Sequence, residues 1–252
     1  MSLTVGNDVA LAFVLVFARA AGVTMALPSL LGVSMPVQWR VLLAALLAAS
    51  LMPLASVAMP AAPGMLPIAI LVIRELGIGV VLSFAASVVV GAVATAGDVI
   101  GASMELNTGP ILRGPVEAPS TLSDGLGAFA AILFFVAGFH RALLLGLGQS
   151  LVAAPLGSLT MPDPHQMLVL GGRVFILALE IGLPVLVPLF VLALAQGVIA
   201  RLAPQVNILF AAPAAIVMAG LLLLGLDSLG IGNSILRAWS SVMGDALRWV
   251  NG

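Results

Sequence analysis

Residues 76–97 read LGIGVVLSFAASVVVGAVATAG, an apolar run with no charge between the pair Arg74-Glu75 and Asp98. A bilayer's hydrocarbon core is crossed by about 20 predominantly apolar helical residues, so this run alone is long enough to span one. Val41 to Ile73, Ile181 to Ala200 and Leu202 to Leu226 are also free of charge. The 252 residues are 62% hydrophobic and 8% charged, with mean hydropathy +1.26. That leaves too little polar surface to coat a water-soluble globule. The expected class is an all-α integral membrane protein, built from about six long apolar helical segments in kinked hairpins. Residues 1–252 read as a single membrane-embedded domain with a polar central loop at about 103–124.

Composition excludes several functions. A net charge of −1 gives no clustered cations for phosphate backbones, so no nucleic-acid partner is expected. Every basic residue is Arg, a pattern that GC-rich coding bias explains together with the abundant Ala, Gly and Pro. Cysteine is absent, which removes thiolate metal sites, disulfides and thiol nucleophiles. The N-terminus lacks the positive region of a signal peptide, its first charge being Asp8 and its first cation Arg19. It reads as the start of a retained first helix.

Proline, glycine and charge mark the segment limits. The first segment runs from about Val9 to Leu31 and contains Arg19; Pro28, Gly32 and Pro36 then punctuate a connection ending at Arg40. The second spans Val41 to about Met59. The third, Ile68 to about Ala102, would measure roughly 50 Å as a helix, longer than the hydrocarbon is thick. A polar stretch from Asp98 to Asp124 follows. The fourth segment, Gly125 to about Ala154, is interrupted by His140 and Arg141. The fifth runs from about Met167 to Leu202 and the sixth from about Val206 to Leu226. The tail from Asn233 to Trp249 is expected to form an amphipathic helix at the membrane interface. With six spans, Arg40, Arg113 and Arg201 face one side while Arg237 and Arg248 face the other, so the positive-inside rule barely decides orientation.

Glu75, Gly79, Ser83, Ser87, Gly91 and Thr95 recur at every fourth position of the third segment. Small residues at this spacing let helix backbones approach closely. Such a row winds around the axis, so it touches successive neighbours.

Few residues could carry chemistry. His140 and His165 lack paired ligand spacing such as H-E-x-x-H. Gly101-Ala102-Ser103 starts like a rhomboid protease motif, but Met104 stands where that motif needs glycine. Asp98 lacks the paired aspartate of an intramembrane aspartyl protease. No enzyme, metal or cofactor is expected. Arg19, Arg74, Glu75, Arg173 and Glu180 lie in or near apolar runs, where an unpaired charge costs several kcal/mol. Pairing between helices is preferred to an ion path as their role. Arg74 and Glu75, being adjacent, are expected to point to different faces and not to neutralise each other. Pro184 and Pro188 should kink the fifth segment. Beyond it, Gln205 and Asn207 can satisfy freed backbone groups or bond between helices.

Arg201-Leu202-Ala203-Pro204-Gln205-Val206-Asn207 resembles the R-x-x-P-Q-x-N element of the FliR family, flagellar type III export-gate proteins whose injectisome counterpart is SctT. Other parts agree in order: Arg19-x2-Gly22, then Pro28, Gly32, Pro36 and Arg40; Glu75-x3-Gly79; Ala96-Gly97-Asp98-Val99-Ile100-Gly101; and Leu183-Pro184. The resemblance covers nearly the whole chain. It departs where Ala214 and Ala215 follow Pro213, where Glu105 follows Met104, and where Gly138-Phe139-His140 replaces a Gly-His-His pattern.

The resemblance implies a non-enzymatic subunit of the flagellar basal body in the bacterial inner membrane. With FliP-like and FliQ-like subunits it would form the channel for unfolded flagellar proteins, beside FlhB-like and FlhA-like components. It further implies a FliP-like part fused to a FliQ-like part, seated partly above the membrane plane. The family's plug corresponds here to about Glu105 to Leu122. Its candidates are Met104, Glu105, Leu106, Asn107, Thr108, Gly109, Pro110, Ile111, Leu112 and Arg113. Candidates for structural or inter-subunit contacts are Arg19, Gly22, Pro36, Arg40, Glu75, Gly79, Pro184, Pro188, Arg201, Pro204, Gln205 and Asn207. An injectisome subunit is the alternative within the family, and a secondary transporter the alternative outside it.

Overall fold

The structure, a computed structural model, describes residues 2–25, 35–55, 65–104, 106, 121–157, 164–202 and 208–251. Eight α-helices account for nearly all of them: α1 (Ser2–Met25), α2 (Val37–Leu51), α3 (Met65–Ser103), α4 (Thr121–Val136), α5 (Phe139–Ala153), α6 (Pro164–Leu202), α7 (Ile208–Leu226) and α8 (Ser228–Asn251). A 3₁₀ turn at Met52–Leu54 ends α2, where Pro53 cannot continue the amide ladder. No strand occurs among the described residues. Helix throughout is what an apolar sequence requires, because lipid offers no partner to a free backbone amide or carbonyl.

Among the described residues, three stretches are long and apolar enough to cross a membrane: Val37–Leu54, Met65–Ser103 and Leu168–Leu202. Two bent pairs, Leu122–Val136 with Phe139–Ala153 and Ala212–Leu226 with Ser228–Ala246, raise the number to five if each counts as one span. The chain is an all-α membrane protein; the six apolar segments read from the sequence correspond to α1, α2, α3, the α4–α5 pair, α6 and α7. The fourth segment breaks by 64°. It breaks not at His140-Arg141 but at Gly138, whose φ of 77° is left-handed and whose N–H donates to the Phe135 carbonyl. A glycine in this conformation is a common helix terminator. The next helix starts at once, with Arg141 N–H donating to the Gly138 carbonyl at 3.0 Å.

The second pair bends by 61° at Asp227. Asp227 takes the capping position of α8, and its carboxylate lies over Gly230. The tail helix differs from expectation. Ile231, Ile235, Ala238, Trp239, Val242, Met243 and Ala246 are all buried, so its apolar stripe is covered by protein and not laid on lipid.

Contacts divide the chain into two units, Met1–Val88 with Phe134–Gly171 and Trp239–Gly252, and Val89–Leu133 with Gly172–Ala238. In the first, α1 packs along α2, where Ala44 and Ala48 are the buried positions. Ala12, Leu15, Val16, Ala48, Leu71, Leu151 and Leu156 form its core. A second cluster sets the Trp239 ring 4.8 Å from Phe134 and 5.7 Å from Phe139.

In the second unit α3 meets α4 at Gly97, where a Cβ would lie 2.7 Å from the Ser123 Cα, and Ser123 Oγ donates to the Ala94 carbonyl at 2.9 Å. Ala96 faces Gly182 of α6, and Met104 fills the space beside Gly220 of α7. α6 remains continuous through Pro184 and Pro188, both exposed. Its residues Ile176, Leu179, Leu183, Val187, Phe190, Leu194 and Val198 form an exposed apolar stripe at helical spacing.

Candidate functional site

A leucine gains little by leaving lipid for the interior of a membrane protein, so small residues and polar ties decide which helices meet. The first unit concentrates both on α1, α3 and α5. The side chains of Arg19 and Glu75 are 0% exposed. Arg19 Nε donates to Glu75 Oε2 at 2.6 Å, and its Nη2 also contacts that oxygen. Nη1 donates to the Ser150 carbonyl at 2.6 Å and to Ser150 Oγ at 3.1 Å, while Nη2 donates to the Ala154 carbonyl at 3.0 Å.

These acceptors explain why the residue is arginine. The last four carbonyls of a helix have no partner within it, and carry the negative end of the helix dipole. Ser150 and Ala154 stand at the end of α5. The Ser150 carbonyl already accepts from the Ala154 N–H at 2.9 Å, so the guanidinium adds a second donor there, supplies one to the Ala154 carbonyl and neutralises a carboxylate on another helix. Only a planar fork of donors can do all three at once.

Arg74 Nη1 donates to Glu75 Oε1 at 2.6 Å. The expectation that these neighbours would not neutralise each other is therefore corrected. Their Cα positions differ by one residue, but the long arginine side chain folds back across the helix face. Glu75 thus bonds one arginine with each carboxylate oxygen.

One turn on, the backbones nearly touch. A Cβ on Gly22 would lie 2.8 Å from the Val80 nitrogen, and one on Gly79 would lie 3.0 Å from the Gly22 Cα. Ser83 Oγ lies 3.1 Å from the Gly22 carbonyl and 2.9 Å from that of Val80. Glu75, Gly79 and Ser83, the first half of the four-residue row, therefore form the face toward α1. The second half is used locally, with Ser87 bonded to the Phe84 carbonyl and Thr95 to that of Gly91.

The structure thus brings together Arg19, Gly22, Glu75 and Gly79. Pro36 sits at the capping position of α2, and Arg40 turns back to donate to the Met35 carbonyl at 3.0 and 2.8 Å. Arg201 is exposed in the last turn of α6. Met104 is fully buried and Leu106 is exposed. Glu105, Asn107 to Arg113, Pro204, Gln205 and Asn207 lie outside the described residues. The sequence reading missed Ser150, Ser123 and Gln196, whose Nε2 ties α6 to the Ala212 carbonyl of α7 at 3.3 Å. A serine or amide inside an apolar run was the available signal for Ser150 and Gln196; Ser123 lies in the polar stretch before Asp124, where a serine does not stand out. Among the described residues, no three His, Asp or Glu side chains gather as a metal site. The arrangement can hold helices together.

Residues 10–241 match the family described as bacterial export proteins, family 1. The chain is 27% identical over 224 residues to the flagellar biosynthetic protein FliR of Caulobacter vibrioides, covering 86% of this chain and 88% of that protein. It is 29% identical over 161 residues to the flagellar biosynthetic protein FliR of Pectobacterium carotovorum subsp. carotovorum, covering 62% of this chain and 61% of that one.

Proposed function

The chain belongs to the bacterial export proteins, family 1, the FliR family, and on that premise we propose that it is the FliR-type subunit of a flagellar export gate. With FliP-like and FliQ-like subunits it builds the channel through which unfolded flagellar proteins cross the inner membrane, served by FlhB-like and FlhA-like components. The match across residues 10–241 carries this reading. Two features support it. The exposed stripe on α6 suits apolar neighbours, and the polar groups of the first unit are spent on holding helices. The role is structural, with no catalytic step.

Co-expression with FliP-like and FliQ-like subunits is expected to yield one large complex in detergent, with little of the chain recovered alone. A monodisperse, partner-free protein competent for solute uptake would instead establish the transporter alternative.

The segment from Met104 to Arg113 serves in this reading as the pore plug. Its sequence includes Gly109 and Pro110, with Gly114 and Pro115 just beyond, so a continuous helix is disfavoured. Irregular backbone at membrane depth is tolerated only where it lines a cavity or is covered by protein. Both flanks are anchored, by buried Met104 beside Gly220 and by the close contact of Gly97 with Ser123. Deleting Asn107 to Pro119 should therefore preserve assembly while raising resting ion conductance. A deletion that assembles, exports normally and leaves permeability unchanged would remove the plug from the proposal. Pro204, Gln205 and Asn207 are proposed to join α6, α7 and neighbouring subunits.

A further inference from the structure

In the first unit an apolar groove of about 490 Å³ runs between the end of α2 and one face of α5. Leu51 and Leu54 form one wall; Leu144, Gly148 and Val152 form the other. These α5 positions share a face with Arg141, which lies in the helix's first turn and also lines the groove. We propose that the groove holds an anionic phospholipid, with one acyl chain along the leucines and the phosphate on the Arg141 guanidinium.

Size, length and charge agree on this occupant. The volume falls in the usual range for small-molecule sites, about 300–1,000 Å³. From Arg141 to Val152 a helix advances about 16 Å at 1.5 Å per residue. One leaflet's hydrocarbon, half of a core about 30 Å thick, is nearly the same depth. An acyl chain starting at Arg141 would therefore run the length of the groove to Val152.

Gly148 is buried at the base of the groove, where α5 comes close to Leu51 and Leu54. A Cβ there would be 3.6 Å from Leu54 Cδ1 and 3.8 Å from Leu51 Cδ2, an ordinary van der Waals fit with no backbone in the way. Arg141 is exposed, and among the described residues its guanidinium has no acidic partner. A cation beside lipid calls for an anion. A phosphate matches the guanidinium fork in charge and geometry. Gln149, exposed beside Gly148, supplies no charge of its own. A neutral apolar occupant would leave Arg141 unanswered. The inference rests on membrane embedding and, for its test, on the assembly proposed above.

The test uses the chain within its assembled complex, in nanodiscs of equal phosphatidylglycerol and phosphatidylcholine. Lipid surviving detergent exchange is identified by native mass spectrometry. Phosphatidylglycerol should be retained in preference to phosphatidylcholine. Arg141→Gln should lower its retention about fivefold, the effect of removing one basic residue's attraction to an anionic membrane surface. Gly148→Leu, which fills the groove, should lower retention of both lipids, and Leu144→Trp provides an independent obstruction. Equal retention of the two lipids by the unaltered chain overturns the proposal, as does retention of neither. Efficient crosslinking of a Gly148→Cys variant to a neighbouring subunit also overturns it, because protein would then occupy the groove.

Discussion

Glu75→Leu is expected to destabilise the first unit by about 3–5 kcal/mol, the usual penalty for removing one partner of a buried ion pair. Two guanidinium groups would remain, Arg19 and Arg74, each deprived of a carboxylate oxygen at 2.6 Å. The measurement is the thermal midpoint and yield of the intact complex, with motility following assembly. Exchanging the charges distinguishes a capped knot from a simple ion pair. Arg19→Glu combined with Glu75→Arg would restore an ordinary pair. Here it places a carboxylate against the carbonyls of Ser150 and Ala154, which now accept from Arg19. The exchange should therefore fail to rescue. Arg19→Lys should recover only part, since an ammonium keeps the charge but not the fork. Full rescue by the exchange would reduce the site to Coulomb attraction alone.

The parts of this arrangement differed in how plainly the sequence announced them. α3 and α6 were legible because a charge-free apolar run has one stable backbone form in lipid. Glu75 and Gly79 were legible because their four-residue spacing fixes them to one helix face. The carbonyls that Arg19 caps were not, since every residue carries a carbonyl and only the meeting of α5 with α1 selects two. The bend in the fourth segment was placed at His140 and Arg141 because polar side chains attract attention. The actual terminator, Gly138, is distinguished by a backbone conformation, which residue type only permits. For α8 the amphipathic stripe was correctly read, but a stripe does not say whether lipid or protein covers it.

Gly79→Ala should reverse the sign normally seen for such a change. In a helix interior, alanine is favoured over glycine by roughly 0.5–1 kcal/mol. Gly77, two residues away on the same helix, offers the control. A Cβ there meets nothing within 4 Å, so Gly77→Ala should be neutral or slightly stabilising. At Gly79 the new carbon would lie 3.0 Å from the Arg19 carbonyl carbon and 3.0 Å from the Gly22 Cα. Both obstacles are backbone atoms, which cannot rotate aside as a side chain can. The helices must then separate, at a cost toward the upper end of the roughly 1–3 kcal/mol typical of overpacking. Separation also stretches the Ser83 contact with the Gly22 carbonyl and the Arg19–Glu75 pair. Gly22→Ala should behave alike, with its Cβ 2.8 Å from the Val80 nitrogen. The double variant should lose less than the sum, because one displacement relieves both collisions. Thermal midpoints of the three single variants and the double variant, measured in the assembled complex, decide the matter. Equal stability of Gly79→Ala and Gly77→Ala would show that α1 and α3 do not depend on this close crossing.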